Sequence, residues 1–250
     1  MKMVNLGCGN RFHKDWINLD FRSNSDKVIA YDLLGKLPFE DNTIDVVYTS
    51  HVLEHFSKYN ATEFLAECYR ILKPNGIIRV VVPDLEQIIK NYIKFLDGAK
   101  KGDVDSQEKY NWTMLELFDQ MVRNHSGGEM LNYWKQNPMP QEEFVIQRTG
   151  SEVKNVLDII KKNPNNKLIK GPINRNAEEI GKFRLSGEIH QWMYDEYSLG
   201  KLLEKTGFKE FKKVMANESQ IINFNSYFLD IEQNKATRKP DSLFMEAIKE

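Results

Sequence analysis

Short apolar runs alternate along the chain with polar turns, and each run stops at a residue that suits the end of a strand. Met3–Leu6 ends at Gly7-Cys8-Gly9-Asn10, Trp16–Leu19 at Asp20, and Val28–Tyr31 at Asp32. Runs this short, closed by glycine or a carboxylate, predict buried strands and tight turns. Ile44–Tyr48, rich in β-branched residues, predicts a fourth strand. The spacing then changes to that of a helix. Asn60 with Glu63 matches a capping box, Phe64, Leu65, Cys68, Ile71 and Leu72 share one face, and Lys73-Pro74-Asn75-Gly76 stops the run. Ile77–Val82 follows as a fifth strand, apolar except for Arg79, as expected of a central parallel strand covered on both faces.

The same alternation returns near the end of the chain. Ser198 is placed to cap a helix with Leu199, Leu202 and Leu203 on one stripe, Gly207 closes it, and Phe208–Met215 is a sixth strand. Leu243–Ile248 is the last, after an Asn- and Ser-rich stretch long enough for a reversal. The pattern predicts an α/β fold on a seven-stranded, mostly parallel sheet with an antiparallel last strand. Only a few residues separate Leu6 from Trp16, so the first crossover must be abbreviated. Between the fifth strand and the Ser198 helix lies far more chain than one connection needs. The expected organisation is a core of 1–84 and 190–250 with an inserted, largely helical cap at 85–189 for substrate recognition. Leu85–Leu96 and Met114–Val122 are helical within the cap, and Lys161–Asn176 is a basic surface loop.

Composition narrows the function. Lys plus Arg number 35 against 36 Asp plus Glu, a balance that offers no electrostatic footprint for nucleic acid. The two cysteines cannot make a disulfide framework, and no apolar run approaches a membrane span or a signal-peptide core, so a cytoplasmic location is expected.

In an open parallel sheet, ligands bind beyond the carboxyl ends of the strands. Gly7, Asp20, Asp32, Ser50 and Pro83 fall at such ends. The Gly7-Cys8-Gly9 turn lets backbone approach a ligand, and Asp20 can accept hydrogen bonds from both hydroxyls of a ribose. With Leu37-Pro38-Phe39, Asp45-Val46-Val47, Ser50-His51-Val52-Leu53-Glu54-His55 and Arg70-Ile71-Leu72-Lys73-Pro74-Asn75-Gly76 in order, the sequence resembles class I S-adenosylmethionine-dependent methyltransferases of the type 11 small-molecule group. The resemblance implies a Rossmann-like fold, S-adenosylmethionine as cofactor and S-adenosylhomocysteine as product. It also implies that Asn5, Gly7, Cys8 and Gly9 cradle the methionine part, Asp20 holds the ribose, Asp32 and Leu33 meet the adenine, and Ser50 and His51 line the pocket. Segments around Gln120-Met121-Val122-Arg123, Ser126–Met130 and His190–Asp195 resemble a bacterial subgroup associated with polysaccharide or secondary-metabolite genes.

The expected acceptor is a small molecule or glycan methylated at oxygen, contacted by Arg123, His125, Trp192 and Tyr194. His190, where the insertion rejoins the sheet, is the expected base for a hydroxyl. A carboxylate acceptor needs no base and calls instead for a clamp from Arg123, Arg148 or Arg184. Three other readings compete. His51-Val52-Leu53-Glu54-His55 spells the H-x-x-E-H zinc-peptidase signature, which on a helix would set both imidazoles on one face with Glu54 as base. The glycine turn with Asp20 would also suit NAD, but the third glycine is missing and the acid comes too early. A non-catalytic cofactor-binding regulator is the third. No metal is expected under the leading reading.

Overall fold

Seven strands, β1 (Met3–Leu6), β2 (Ile17–Asp20), β3 (Val28–Ala30), β4 (Ile44–Ser50), β5 (Leu72–Pro83), β6 (Lys209–Val214) and β7 (Ser242–Ile248), form one sheet in the order β3-β2-β1-β4-β5-β7-β6. Strands β1 to β5 pair in parallel, and β7 runs antiparallel to both β5 and β6. This is the mostly parallel Rossmann-like sheet with an antiparallel last strand. The helices are α1 (Lys58–Ile71), α2 (Leu85–Lys100), α3 (Val104–Val122), α4 (Gly128–Trp134), α5 (Glu142–Thr149), α6 (Ser151–Lys162), α7 (Ala177–Arg184) and α8 (Glu196–Lys205). The structure, a computed structural model, describes residues 1–23, 25–162 and 175–250. Among these, no helix is long and apolar enough to cross a membrane.

The chain divides into two compact units, one of Met1–Asp84, Trp192–Thr237 and Ser242–Glu250, the other of Leu85–Gln191 with Arg238–Asp241. The second unit is helical, α2 to α7, around a core of Trp112, Met130, Tyr133, Met139, Val145, Val153 and Leu157. Within it Arg148 lies 2.8 Å from Glu116, whose carboxylate also accepts from Trp112 Nε1 at 2.6 Å. The basic loop expected at Lys161–Asn176 begins as the last residues of α6 and ends at the Asn176 cap of α7. Its middle, 163–174, lies outside the described residues.

In the first unit the two-residue period of the strands sorts side chains onto two faces. Val4, Leu6, Val47, Ile78, Val80, Val82, Leu243 and Met245 face one core, which α1 covers with Phe64, Leu65 and Cys68 and α8 with Leu199 and Leu203. Met3, Val46, Tyr48, Val81 and Phe244 face the other. No α-helix contributes to that second core among the described residues, because the crossovers from β1 to β2 and from β2 to β3 are too short to hold one. Ala216, Ile221, Phe224, Leu229 and Ile231, from the stretch expected only to reverse the chain, pack there instead.

A mostly irregular segment brings backbone polar groups that need partners once buried. Arg79, on β5 and fully buried, supplies them. All five of its N–H groups are used: Nε to Asp230 at 2.7 Å, Nη1 to Glu246 and to the Glu218 carbonyl at 2.8 Å each, and Nη2 to the carbonyls of Met215 and Ala216 at 3.2 Å. Glu246 stands opposite Arg79 in the β5–β7 register and accepts from the Gln220 N–H at 2.8 Å. Tyr48 donates to Asp230 at 2.5 Å.

Several local expectations change. The cap of α1 is Ser57, which accepts from the Asn60 N–H, because the helix starts a turn earlier than the Asn60–Glu63 pair suggested. The cap of α8 is Asp195, and Ser198 is its N3 partner in a reciprocal capping box. Lys73–Gly76 bulges out of the β4–β5 ladder instead of separating helix from strand, since Ile44 pairs with Leu72 and Val46 with Ile77. Asn75 takes the positive φ of 63°, and Gly76 is needed for space, because a Cβ there would come 2.8 Å from the Lys73 carbonyl oxygen.

Replacing Arg79 with Met should leave two buried carboxylates uncompensated and lower the unfolding free energy by about 3–5 kcal/mol. Removing the exposed Lys90–Glu86 pair should change it by about 1 kcal/mol or less. Urea midpoints of the two variants would check this, and equal shifts would refute the tether assigned to Arg79.

Candidate functional site

Because β1, β2, β4 and β5 are parallel, their carboxyl ends share one rim, and the antiparallel β7 brings its first residue, Ser242, to the same rim opposite Pro83. Strand order reverses between β1 and β4, which is where such a sheet opens a crevice for a ligand. Gly7 follows β1 and His51 follows β4, one on each side of that point.

The glycine turn is held by β2. The N–H groups of Gly7 and Cys8 donate to the Leu19 carbonyl at 2.8 and 3.2 Å, and the Gly9 N–H donates to Asp20 Oδ2 at 2.8 Å. Gly7 has φ 72°, and a Cβ on it would lie 2.1 Å from Val52 Cγ2, so both conformation and space require glycine. Gly9, at φ 52°, has nothing within 4 Å of its would-be Cβ, so that side of the turn is open. Asp20 Oδ1 accepts from the Arg22 N–H at 3.2 Å. Each carboxylate oxygen thus takes one N–H and keeps acceptor capacity for a diol. Asn5 is buried and braces the turn by donating to the Arg11 carbonyl at 3.1 Å. Arg11 in turn donates to the carbonyls of Phe228 at 2.8 Å and Ile231 at 3.1 Å. Burial, with Asp20 beside it, pushes the Cys8 thiol up to about 12, so the thiol stays protonated and acts as a small apolar filler.

Asp32 is exposed and accepts from the Leu34 N–H at 2.9 Å, while Leu33 packs into the core on the α1 side. Ser50 closes β4. His51 follows with φ 55°, a left-handed conformation uncommon outside glycine, and its N–H donates to the Val81 carbonyl. Its ring lies between two side chains, Nε2 at 2.9 Å from Ser242 Oγ and Nδ1 at 3.1 Å from Glu54 Oε1. Residues 53–55 form one 3₁₀ turn, not an α-helix. His51 and His55 therefore lack the shared helical face on which the zinc-peptidase reading depends.

Tyr194 is buried in the first unit and bridges backbone with Asp84. Its hydroxyl has no hydrogen-bond partner among the described residues, and burial together with the Glu54 charge raises its pKa. Trp192 is exposed, with Lys58 Nζ 3.7 Å above its ring, and its backbone N–H donates to the Glu54 carbonyl. In the second unit, His190 is buried and its N–H donates to the Gln120 carbonyl at 3.0 Å. His125 is partly exposed in the turn before α4. Arg123 pairs with Asp119, a carboxylate that also receives the Glu129 N–H. A Cβ on Gly128 would come 2.4 Å from Asp119 Oδ1, so the Gly127-Gly128 pair serves this contact. Arg184 donates to the carbonyls of Met121 and Val122 at 3.1 Å each. Sequence reasoning missed Ser242, since nothing local sets it beside His51 across 191 residues of chain.

Comparison with known proteins fits this geometry. Residues 15–80 match a family model described as a methyltransferase domain. A probable S-adenosylmethionine-dependent methyltransferase of Mycolicibacterium smegmatis is 36% identical over 99 residues, 33% of this chain and 38% of that one. A demethylmenaquinone methyltransferase of Staphylococcus saprophyticus is 31% identical over 121 residues, 46% and 48% of the two chains. The chain thus spans less than half the length of each. A solved structure from Thermotoga maritima, titled a SAM-dependent methyltransferase, possible histamine N-methyltransferase, aligns over 100% of this chain and 82% of its own. Its identity is 12% and its TM-score 0.44. Residues 15–80 are thus similar to a methyltransferase domain, and S-adenosylmethionine is the cofactor such a likeness implies.

Gly7→Ala should lower stability by about 2–5 kcal/mol, the sum of a left-handed conformation and overpacking against Val52, whereas Gly9→Ala should cost only about 1–2 kcal/mol. Denaturant melts of the two variants check the difference, and equal losses would contradict the packing assigned to Gly7. A thiol reagent at pH 8 should label neither Cys8 nor Cys68 in the folded chain and both after unfolding, since both are buried. Rapid native labelling of Cys8 would show that its environment is misassigned.

Proposed function

We propose that this chain binds S-adenosylmethionine across the Gly7-Cys8-Gly9 turn and Asp20 and transfers its methyl group to a hydroxyl of a small-molecule or glycan acceptor. The observation that carries the reading is the Gly9–Asp20 link. It ties an open glycine turn after β1 to a carboxylate after β2, on the rim beside the switch point, and Asp20 falls inside the segment that matches the methyltransferase domain. The residues fit the cofactor. The open side of Gly9 admits a ligand against the backbone, Asp20 has capacity for two ribose hydroxyls, and Asn5 and Arg11 hold the turn rigid. Asp32, Leu33, Ser50 and His51 continue the same rim.

When bound, the cofactor supplies an activated methyl group on a sulfonium. The chain's own work is to align donor and acceptor and to exclude water. Arg148 pairs with Glu116 and Arg123 with Asp119, which weighs against a carboxylate clamp built on them and in favour of a hydroxyl acceptor. A hydroxyl acceptor must lose a proton, and histidine suits that role. The inserted unit, with its Asn, Gln and Tyr side chains, is the proposed acceptor-recognition element, with Arg123, His125 and His190 as candidate residues, and Trp192 and Tyr194 are separate candidates within the first unit.

Calorimetry against S-adenosylmethionine, S-adenosylhomocysteine, NAD and zinc tests the class, with binding expected for the first two alone. Asp20→Ala should remove hydrogen bonds to an ionised acceptor, at about 1.5–3 kcal/mol each, and weaken S-adenosylhomocysteine binding at least about tenfold in a folded variant. Unchanged affinity would remove Asp20 from the site.

A further inference from the structure

Four polar side chains of the first unit converge at the rim beyond β4 and β5 without belonging to the glycine turn. His51 comes from the end of β4, Glu54 from the 3₁₀ turn after it, Ser242 from the start of β7 and Tyr194 from the strand-like bridge to Asp84. Glu54 is fully buried, and the imidazole beside it is mostly buried. A carboxylate in that setting is costly unless an adjacent group carries positive charge or donates a proton. Nδ1 of His51 lies 3.1 Å from Glu54 Oε1, within ion-pair distance, and a ring nitrogen of His55 lies within 4.8 Å of the same carboxylate. With the His51 ring proton drawn to Nδ1, the lone pair of the neutral ring is at Nε2, the nitrogen that the Ser242 hydroxyl reaches at 2.9 Å. The backbone of His51 is held at φ 55°, a strained conformation that persists only where surrounding structure enforces it and that clusters at functional sites. Tyr194 bridges backbone with Asp84, next to the end of β5, and its hydroxyl is buried without a hydrogen-bond partner among the described residues. An unsatisfied hydroxyl there is suited to a polar group of a ligand.

We propose that His51 is the proton acceptor for the methylated hydroxyl, that Glu54 positions it by fixing the Nδ1–H tautomer, and that Tyr194 hydrogen-bonds the acceptor oxygen. This rests on the methyltransferase reading and assigns the base to His51 in place of His190. The acceptor O–H bond breaks as its proton moves to His51 Nε2, displacing the Ser242 hydroxyl. The oxygen lone pair forms the new bond to the methyl carbon, and the pair of the broken carbon–sulfur bond stays on sulfur. The resulting imidazolium is stabilised by Glu54 and later returns its proton to water.

The test uses the full chain with ¹⁵N-labelled histidine, with and without S-adenosylhomocysteine. Long-range proton–nitrogen spectra, with His51 assigned by loss of its signals in His51→Asn, should show the neutral ring as the Nδ1–H tautomer, and Glu54→Gln should abolish that bias. A predominant Nε2–H tautomer in the parent protein overturns the proposal. In labelled-methyl transfer from S-adenosylmethionine to a cell-extract small-molecule pool, Glu54→Gln should reduce the transfer rate at least tenfold. Its S-adenosylhomocysteine affinity should stay within about twofold of the parent's. An unaltered rate in Glu54→Gln overturns it equally. If the parent chain fails to bind S-adenosylhomocysteine, the methyltransferase reading falls, while the tautomer measurement still decides the role of Glu54.

Discussion

Arg79 holds the first unit together in a way that apolar packing cannot. Its sheet face lacks the helices that longer crossovers would have supplied, and an irregular segment, 215–231, covers it instead. Such a segment can bury apolar side chains only if its carbonyls find donors. A guanidinium is the one side chain that offers five donors in a rigid fork, and here each is used. Asp230 and Glu246 neutralise it, and the ring of Phe224 lies 4.6 Å from its central carbon.

The tether reaches the functional rim through a short chain of contacts. Arg79 fixes the segment to β5, and Arg11 binds the same segment at Phe228 and Ile231. The Arg11 carbonyl accepts from Asn5, and Arg11 lies just past the Gly7-Cys8-Gly9 turn. The abbreviated first crossover therefore gains from the far end of the chain the rigidity that a helix would otherwise provide. The turn keeps one open side at Gly9, while Gly7 is locked against Val52.

Charge is distributed differently in the two units. In the second, Arg123 pairs with Asp119 and Arg148 with Glu116. At the rim of the first, Glu54 is fully buried beside a histidine, and the Tyr194 hydroxyl has no hydrogen-bond partner among the described residues. A buried polar group that the fold does not satisfy marks where a ligand would complete the network.

Apolar runs and turn residues were enough to locate the seven strands and the helices α1 and α8, and the long stretch before the last strand left room for the reversal that makes it antiparallel. These features depend on local alternation and on turn residues, which a single sequence carries in full. The glycine turn and the likeness to a methyltransferase domain were legible for the same reason, since the signals lie close together in order. Helix caps were legible only to within a turn. Ser57 displaced Asn60 and Asp195 displaced Ser198, because neighbouring residues offered equally good cap chemistry. Arg79 was visible as a charge in an apolar strand, but its partners Asp230 and Glu246 lie 151 and 167 residues away. Ser242 lies 191 residues from His51. Pairings at such separations are set by strand order and register, and only the closed sheet brought them into contact.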